Sequence, residues 1–366
     1  MPVQAAWPVA WVTKTPMATV SIQVPMLETK LPVQTVAKAR CRNGRNGEDR
    51  PGRAEVVTRQ GYPRPVPHAG PEPATLRGMA KLLDLTDPPE LRDPFLVVHL
   101  HGWTDAGLAG QTAAVFLRSR WNAIELAAFD TDELIDFRSR RPVVRLDGGT
   151  IEEVTWSPIE LLRATPGGER DALLLLGPEP DFRWQGFCQE VVEACRRLEV
   201  TEVFGLGAFP APALHTDPVA VVGTSANPEL AARLERVPLV VDLQAGIQTV
   251  LEERLHRAGL PATGLWARVP PYLAGGAHPP AALALVRTLG RLTGVEIETT
   301  ELEAATKDHL EQVEQAIRER PQIAEFVDQI RGLVEQGADE RIPSGDEIAA
   351  ELERFLNQGP PDTDSS

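Results

Sequence analysis

Two short stretches constrain the fold of this chain more than any others. PFLVVHLH (94–101) and DALLLLGPEP (171–180) are apolar at successive positions rather than at alternate ones. A strand with apolar side chains on both faces must be covered on both, and such strands lie in the middle of parallel sheets. Further strands are expected at AIELAAFD (123–130), EVFGLGAFP (202–210), PVAVVGTSA (218–226) and TGLWARVPPYL (263–273). LVVDLQ (239–244) reads as another strand or as the lead into a helix. Between them lie helical patterns. GLAGQTAAVFLRS (107–119) offers a partial apolar face of Leu108, Ala113, Val115 and Phe116. FCQEVVEACRRLEV (187–200) and GIQTVLEERLHRAG (246–259) are amphipathic, and PPAALALVRTLGRLTG (279–294) is opened by proline and stopped near Gly294. Strands alternating with helices predict an α/β domain, with a mixed, mostly parallel sheet flanked by helices.

The ends differ from this body. Residues 1–78 are rich in Pro, Gly and Arg and show no lasting periodicity. Such a composition buries too little apolar surface to offset chain entropy, so the segment is expected to be a disordered or spurious extension. The α/β domain is placed at 79–295. Residues 296–358 form a C-terminal helical extension. Within it Leu302, Leu310, Val313 and Ile317 line one face, and Val327, Ile330 and Val334 line another, with a break at Pro321. A closing helix follows in PSGDEIAAELERFLNQG, with Ser344 and Glu347 as a capping box. Residues 359–366 are a free tail. Helices with one apolar stripe must pack on the body or on a neighbouring subunit.

The net charge of −15 argues against a nucleic-acid partner, which needs a concentrated basic surface. Basic residues outnumber acidic ones in 1–78, so the remainder is more acidic than the whole. No run reaches the ~18 apolar residues of a spanning helix, and no signal-peptide pattern opens the chain. No membrane association is expected, and the protein is placed in the cytoplasm. Cys188 and Cys195 fall on one helix about 10 Å apart, too far for a disulfide, and read as core thiols.

Candidate chemistry gathers where strands give way to helices, because ligands in open α/β sheets bind beyond the carboxyl ends of strands. HLHGWTDAGLAG (99–110) places Trp103, Thr104, Asp105 and Gly107 there. Asp105 either caps the following helix or contacts a ligand. His99 and His101 share a strand face, without a zinc-site spacing. FDTDELIDFRSRRPVV (129–144) sets Asp136 among acids and arginines that include Arg141, and reads as a surface salt-bridge loop or an anion contact. PEPDFRWQGF (178–187) contributes Arg183 and Trp184. FPAPALHTDPVAVVGTSAN (209–227) adds His215 and Thr216, and DLQAG (242–246) adds Gln244. No phosphate loop, dinucleotide fingerprint or nucleophile elbow is present. No catalytic set is assigned, no metal site, and no cofactor is expected.

These blocks, with the glycine-tryptophan-x-aspartate-alanine-glycine turn at 102–107 and the pattern carried by Asp136, Phe137, Arg141 and Pro142, resemble the proteasome assembly chaperone family. The resemblance is to the second-subunit type, in its bacterial branch with a helical C-terminal extension. Order and spacing agree over about residues 88–293. The resemblance implies a fold like that of purine nucleoside phosphorylases and a role in protein interaction or assembly, with a proteasome-type partner. It also implies a homo-oligomer, most simply a trimer, which would bury the one-striped helices. The alternative is a small-molecule-binding protein or a phosphorylase- or hydrolase-like enzyme using the polar sheet edge. A third reading, an ATP-dependent carboxylate–amine ligase, has little support: the body has no glycine-rich ATP loop, and its lysines are Lys81 and Lys307. The chain also departs from ring-docking chaperones at its end, Asp364-Ser365-Ser366, with no tyrosine after Tyr272.

Overall fold

The structure is a computed structural model, and it describes residues 81–102, 104–235 and 242–335. The expected 1–78 extension, Trp103, the core of the 239–244 segment, the closing helix and the 359–366 tail lie outside the described residues. The strands are β1 (Phe95–His101), β2 (Ile124–Ala128), β3 (Val143–Asp147), β4 (Thr150–Thr155), β5 (Glu160–Ala164), β6 (Ala172–Pro178), β7 (Glu202–Pro210), β8 (Val221–Thr224) and β9 (Ala262–Val269). The helices are α1 (Ala109–Arg120), α2 (Thr131–Leu134), α3 (Trp184–Arg197), α4 (Pro228–Ala231), α5 (Ile247–Arg257), α6 (Pro279–Thr293), α7 (Thr300–Glu319) and α8 (Pro321–Glu335).

A seven-stranded sheet runs in the order β2-β5-β6-β1-β7-β9-β8. The central four, β6, β1, β7 and β9, are parallel neighbours. β5 is antiparallel to β6, β2 to β5, and β8 to β9. All but β5 and β8 therefore run in one direction, the mixed, mostly parallel sheet that the alternation implies. Successive residues of β1 serve opposite layers. Leu96 and Val98 join Phe187, Val191, Leu251 and Leu255 under α3 and α5. Phe95 and Val97 join Ala113, Leu117, Leu285 and Leu289 under α1 and α6. β6 does the same with Leu173 and Leu175 against Leu174 and Leu176. Each fully buried leucine side chain of this kind contributes about 2 kcal/mol. α7 packs on α6, and α8 on α7, as the extension stacks away from the sheet.

Three features differ from the sequence reading. α1 turns Ala109, Gly110, Ala113, Ala114 and Leu117 inward, while Leu108 and Val115 are exposed. The sheet surface beneath α1 admits small residues at close approach, so the alanine stripe wins over the larger aliphatics. For example, a Cβ on Gly110 would meet the Leu206 carbonyl at 2.9 Å. β5 was hidden because ELLRA is short and carries Glu160 and Arg163 among five residues, yet Leu161 and Leu162 pair with Leu175 and Leu174. Residues 143–155, at the end of the arginine loop, form an antiparallel hairpin, β3–β4. Its turn is Gly148-Gly149 with φ of 53° and 87°, the left-handed backbone that tight hairpins require and glycine supplies without strain. The extension follows the reading more closely. Leu302, Val313, Val327 and Ile330 are buried, with the break at Pro321.

Candidate functional site

The parallel strands deliver their carboxyl ends to one edge, and two polar clusters form there. The first lies beyond β1 and β6. The Glu179 N–H donates to the His101 carbonyl at 2.8 Å. Gly102 lets the Glu179 side chain pass, since a Cβ there would meet Glu179 Oε2 at 2.6 Å. Glu179 Oε1 accepts the Ile247 N–H at 2.7 Å, so a carboxylate from one loop satisfies the first turn of α5. Arg140 donates to the Glu179 carbonyl and pairs with Asp181 at 3.3 Å. Asp181 also accepts the Asp136 N–H at 2.8 Å, while the Asp136 carboxylate holds Arg138. Arg183 pairs with Glu133 at 2.6 Å, and Trp184 Nε1 donates to the Pro180 carbonyl at 2.5 Å. Burial, with His99 and Arg140 close by, brings the His101 imidazole down to about 4, so it is neutral at pH 7.

The second cluster lies beyond β1, β7 and β9. Asp105 accepts the Gly110 N–H at 2.7 Å and the Gln111 N–H at 2.9 Å, the free donors of α1. His99 lies beside it, Nε2 at 3.8 Å from Asp105 Oδ2, with Nδ1 against the Leu206 carbonyl at 3.0 Å. Burial lowers the His99 pKa and raises that of Asp105. Gly107 has φ of 66°, and its N–H and carbonyl bond Ala274 and His278 at 2.8 Å each. A side chain there would strike the His278 Cβ at 2.7 Å. His278 in turn meets His309 of α7, Nδ1 to Nε2 at 3.1 Å. His215 is held between the Tyr272 hydroxyl at Nδ1, 2.8 Å, and Glu314 of α7 at Nε2, 2.9 Å. Burial lifts the Tyr272 phenol to about 12 and pushes His278 down to about 3.

Of the residues expected at the edge, Asp136, Arg183 and Trp184 join the first cluster, and Asp105, Gly107 and His215 the second. Thr104 lies half-buried in the turn between the clusters; Thr216, Arg141 and Gln244 are exposed. Trp103 is outside the described residues. Sequence reasoning missed Glu179, Tyr272, His278, His309 and Glu314, whereas Arg140 belongs to the arginine loop it had marked for salt bridges or an anion contact. Glu179 sits at a strand exit and His278 just before the proline pair that opens α6, so position alone could have flagged those two. Glu314 and His309 carry no such signal, because their partners are brought to them only by the packing of α7.

Chemically, most of these groups are committed to one another or to helix ends. The thiols of Cys188 and Cys195 are buried and pushed up to about 12, which keeps them from acting as thiolates. Ser225 donates to the Ala262 carbonyl at 2.6 Å and accepts the Asn227 N–H, which fixes it in a turn. Among the described residues no group of three His, Cys, Asp or Glu side chains is arranged to hold a metal ion. A cleft of about 810 Å³ opens at the opposite end of the sheet, lined by Trp121, Gly167, Gly168, Arg170 and Gly294. Its arginines are already paired, Arg120 with Glu298 at 3.2 Å and Arg170 with Asp93 at 2.8 Å. No helix among the described residues is long and apolar enough to cross a membrane.

The sheet, its two helical layers and its helical extension define an α/β protein whose strand-exit loops are braced by ion pairs and helix-capping carboxylates. Residues 99–317 match the model of the PAC2 family, and the chain belongs to that family. A PAC2 family protein from Streptomyces avermitilis is 37% identical over 61% of this chain and 95% of its own, with a TM-score of 0.57. A Mycobacterium tuberculosis proteasome-assembly chaperone homologue is 31% identical over 64% of this chain and 99% of its own, with a TM-score of 0.59. A second M. tuberculosis protein, of unknown function, reaches a TM-score of 0.66 at 28% identity, covering 77% of this chain and 97% of its own. No curated protein matches the chain.

Proposed function

We propose that the chain is a proteasome-assembly-chaperone-like protein of the cytoplasm, whose role is protein interaction rather than catalysis, and that it works as a homo-oligomer. The observation that carries this reading is the match to the M. tuberculosis proteasome-assembly chaperone homologue, which extends over 99% of that protein. The committed state of the edge groups supports it, because nucleophiles and carboxylates that serve turns and helix ends are not poised for chemistry. The test is native mass spectrometry of the full chain mixed with proteasome α-subunits. A stoichiometric complex is expected, and free components at micromolar concentrations overturn the reading.

A second reading, a small-molecule site at the sheet edge, draws on the neutral, partly buried His101 beside Arg140 and Glu179. A ligand at ~100 times its dissociation constant stabilises the native state by about 2.7 kcal/mol. For a domain of this size that corresponds to a melting shift of roughly 5–10 °C. A screen of nucleosides, phosphates and carboxylates that yields such a shift, lost in Arg140→Gln, would favour this reading over the first.

A further inference from the structure

Two polar contacts of different chemistry hold α7 to the loops at the carboxyl edge of the sheet. His309 Nε2 meets His278 Nδ1 at 3.1 Å. Further along the helix, Glu314 accepts from His215 Nε2 at 2.9 Å, and His215 Nδ1 lies 2.8 Å from the Tyr272 hydroxyl. Around this second contact stand Arg318 on α7, 3.8 Å from Glu314, with Arg331 of α8 and Asp217 near Tyr272. The first half of α7 is also tied by the buried Leu302 and by an exposed pair, Arg287 with Glu303 at 2.7 Å, which counts for little in water. In the second half Val313, next in sequence to Glu314, is buried.

Protons act on the two contacts in opposite senses. A single hydrogen lies between His278 and His309. A proton on each facing nitrogen would set two N–H groups head to head and turn the bond into a repulsion. His278 is 1% exposed, and burial, with His309 and His215 close by, holds its ring down at about 3. Burial and His215 lower His309 as well. Charging His278 therefore requires that α7 lift off it. His215 differs. Its Nε2–H already faces a carboxylate, so an added proton goes to Nδ1, where the Tyr272 hydroxyl accepts instead of donating. The bond to Glu314 stays and becomes charge-assisted on both sides.

We infer that α7 is a hinged flap with a proton-sensitive latch: acid frees its first half at His309, while Glu314 keeps its second half on His215. Through His278 the latch reaches the turn after β1. The His278 N–H donates to the Gly107 carbonyl at 2.8 Å, and the His278 Cβ lies where a Gly107 side chain would be. Gly107 is itself buried. Lifting the helix at His309 opens the His278 ring, and with it one side of this turn, to water. The inference does not depend on the assembly role or on the homo-oligomer proposed above.

Amide hydrogen exchange of the full chain, corrected for the intrinsic effect of pH, reads the two halves of α7 separately. Opening at Thr300–His309 should rise about 30-fold from pH 7.5 to pH 5, as follows for a ring near 3 when covered and at 6.5 when open. Opening at Leu310–Glu319 should rise far less. The double variant His278→Gln with His309→Gln should flatten the rise in the first half, and thermal melting at pH 7.5 checks that it folds. Glu314→Ala should let the second half follow the first in acid. No rise in the first half of the wild type overturns the latch, and an equal rise in both halves overturns the hinge; neither outcome depends on a variant. A rise that survives in the folded double variant also overturns the latch, because other groups then carry the acid response. A second half unmoved in Glu314→Ala overturns the holding role of that contact.

Discussion

Glu252 shows what one side chain can hold in this fold. It lies on α5 against Gly264, which has no side chain to displace it, and accepts the Thr224 hydroxyl at 3.0 Å. Burial pushes its carboxyl up to about 8, opposed by Thr224 and Gln248. The native state thus keeps a proton that the unfolded chain releases above about pH 4.5. Stability from this group is full below that value and falls as pH rises towards 8. Glu252→Gln should remove that slope: its stability, read by thermal melting, should gain on the wild type between pH 5 and pH 8, by roughly 3–4 kcal/mol at the upper end. An unchanged difference across that range would show that Glu252 is ionised in the fold. Asp105 is the other telling residue. Its capping role was one of two readings open in the sequence, and the structure gives it two α1 amides. Asp105→Ala should cost about 1–2 kcal/mol by thermal melting, and Asp105→Asn less, since Asn still caps. Equal losses would mean that the charge beside His99, not the cap, is what matters.

At the scale of elements, α7 is fastened to the body by histidines. His278 and His309 meet at 3.1 Å, and Glu314 reaches His215. Burial lowers the pKa of both His278 and His309 below the usual imidazole value. A depressed histidine contributes its full stabilisation above about pH 6.5, and the contribution is lost progressively as pH falls from 6.5 towards the lower folded-state value, because the unfolded state takes up the proton first. Amide hydrogen exchange in α7 should therefore quicken between pH 7.5 and pH 5 more than exchange in β1. His309→Gln should shrink that contrast; a contrast of the same size would place the acid sensitivity elsewhere. This fastening was invisible in the sequence. The amphipathic pattern of 299–337 shows that a helix packs, but the partner of each polar residue depends on the angle at which it packs.

For the molecule as a whole, the two cores draw on residues from Leu82 to Leu302, and β1 lies at their centre. We expect a chain beginning at Met79 to fold as the full chain does. Its melting temperature should fall within about 4 °C of the full chain; a larger drop, roughly 1–2 kcal/mol, would show that the preceding residues pack on the body.

The order of strands and helices was legible in the sequence. Apolar run length, helical periodicity and the Pro and Gly stops are local properties, and α6 from Pro279 to Gly294 follows them closely. The doubly covered strands could be read for the same reason: PFLVVHLH and DALLLLGPEP have no polar face to offer water. Only the tertiary structure decided which side of α1 faces in, since that depends on the clearance above Leu206 and His99. It also decided that the polar edge divides into two braced clusters, because Glu179, Arg140, His278 and Glu314 find partners from distant segments. The β3–β4 hairpin is the reverse case. VVRLDGGTIEEVT holds its aliphatic residues, but only the strand pairing, with its register shift after Arg145, shows that Val144, Leu146, Ile151 and Val154 share one face, exposed among the described residues.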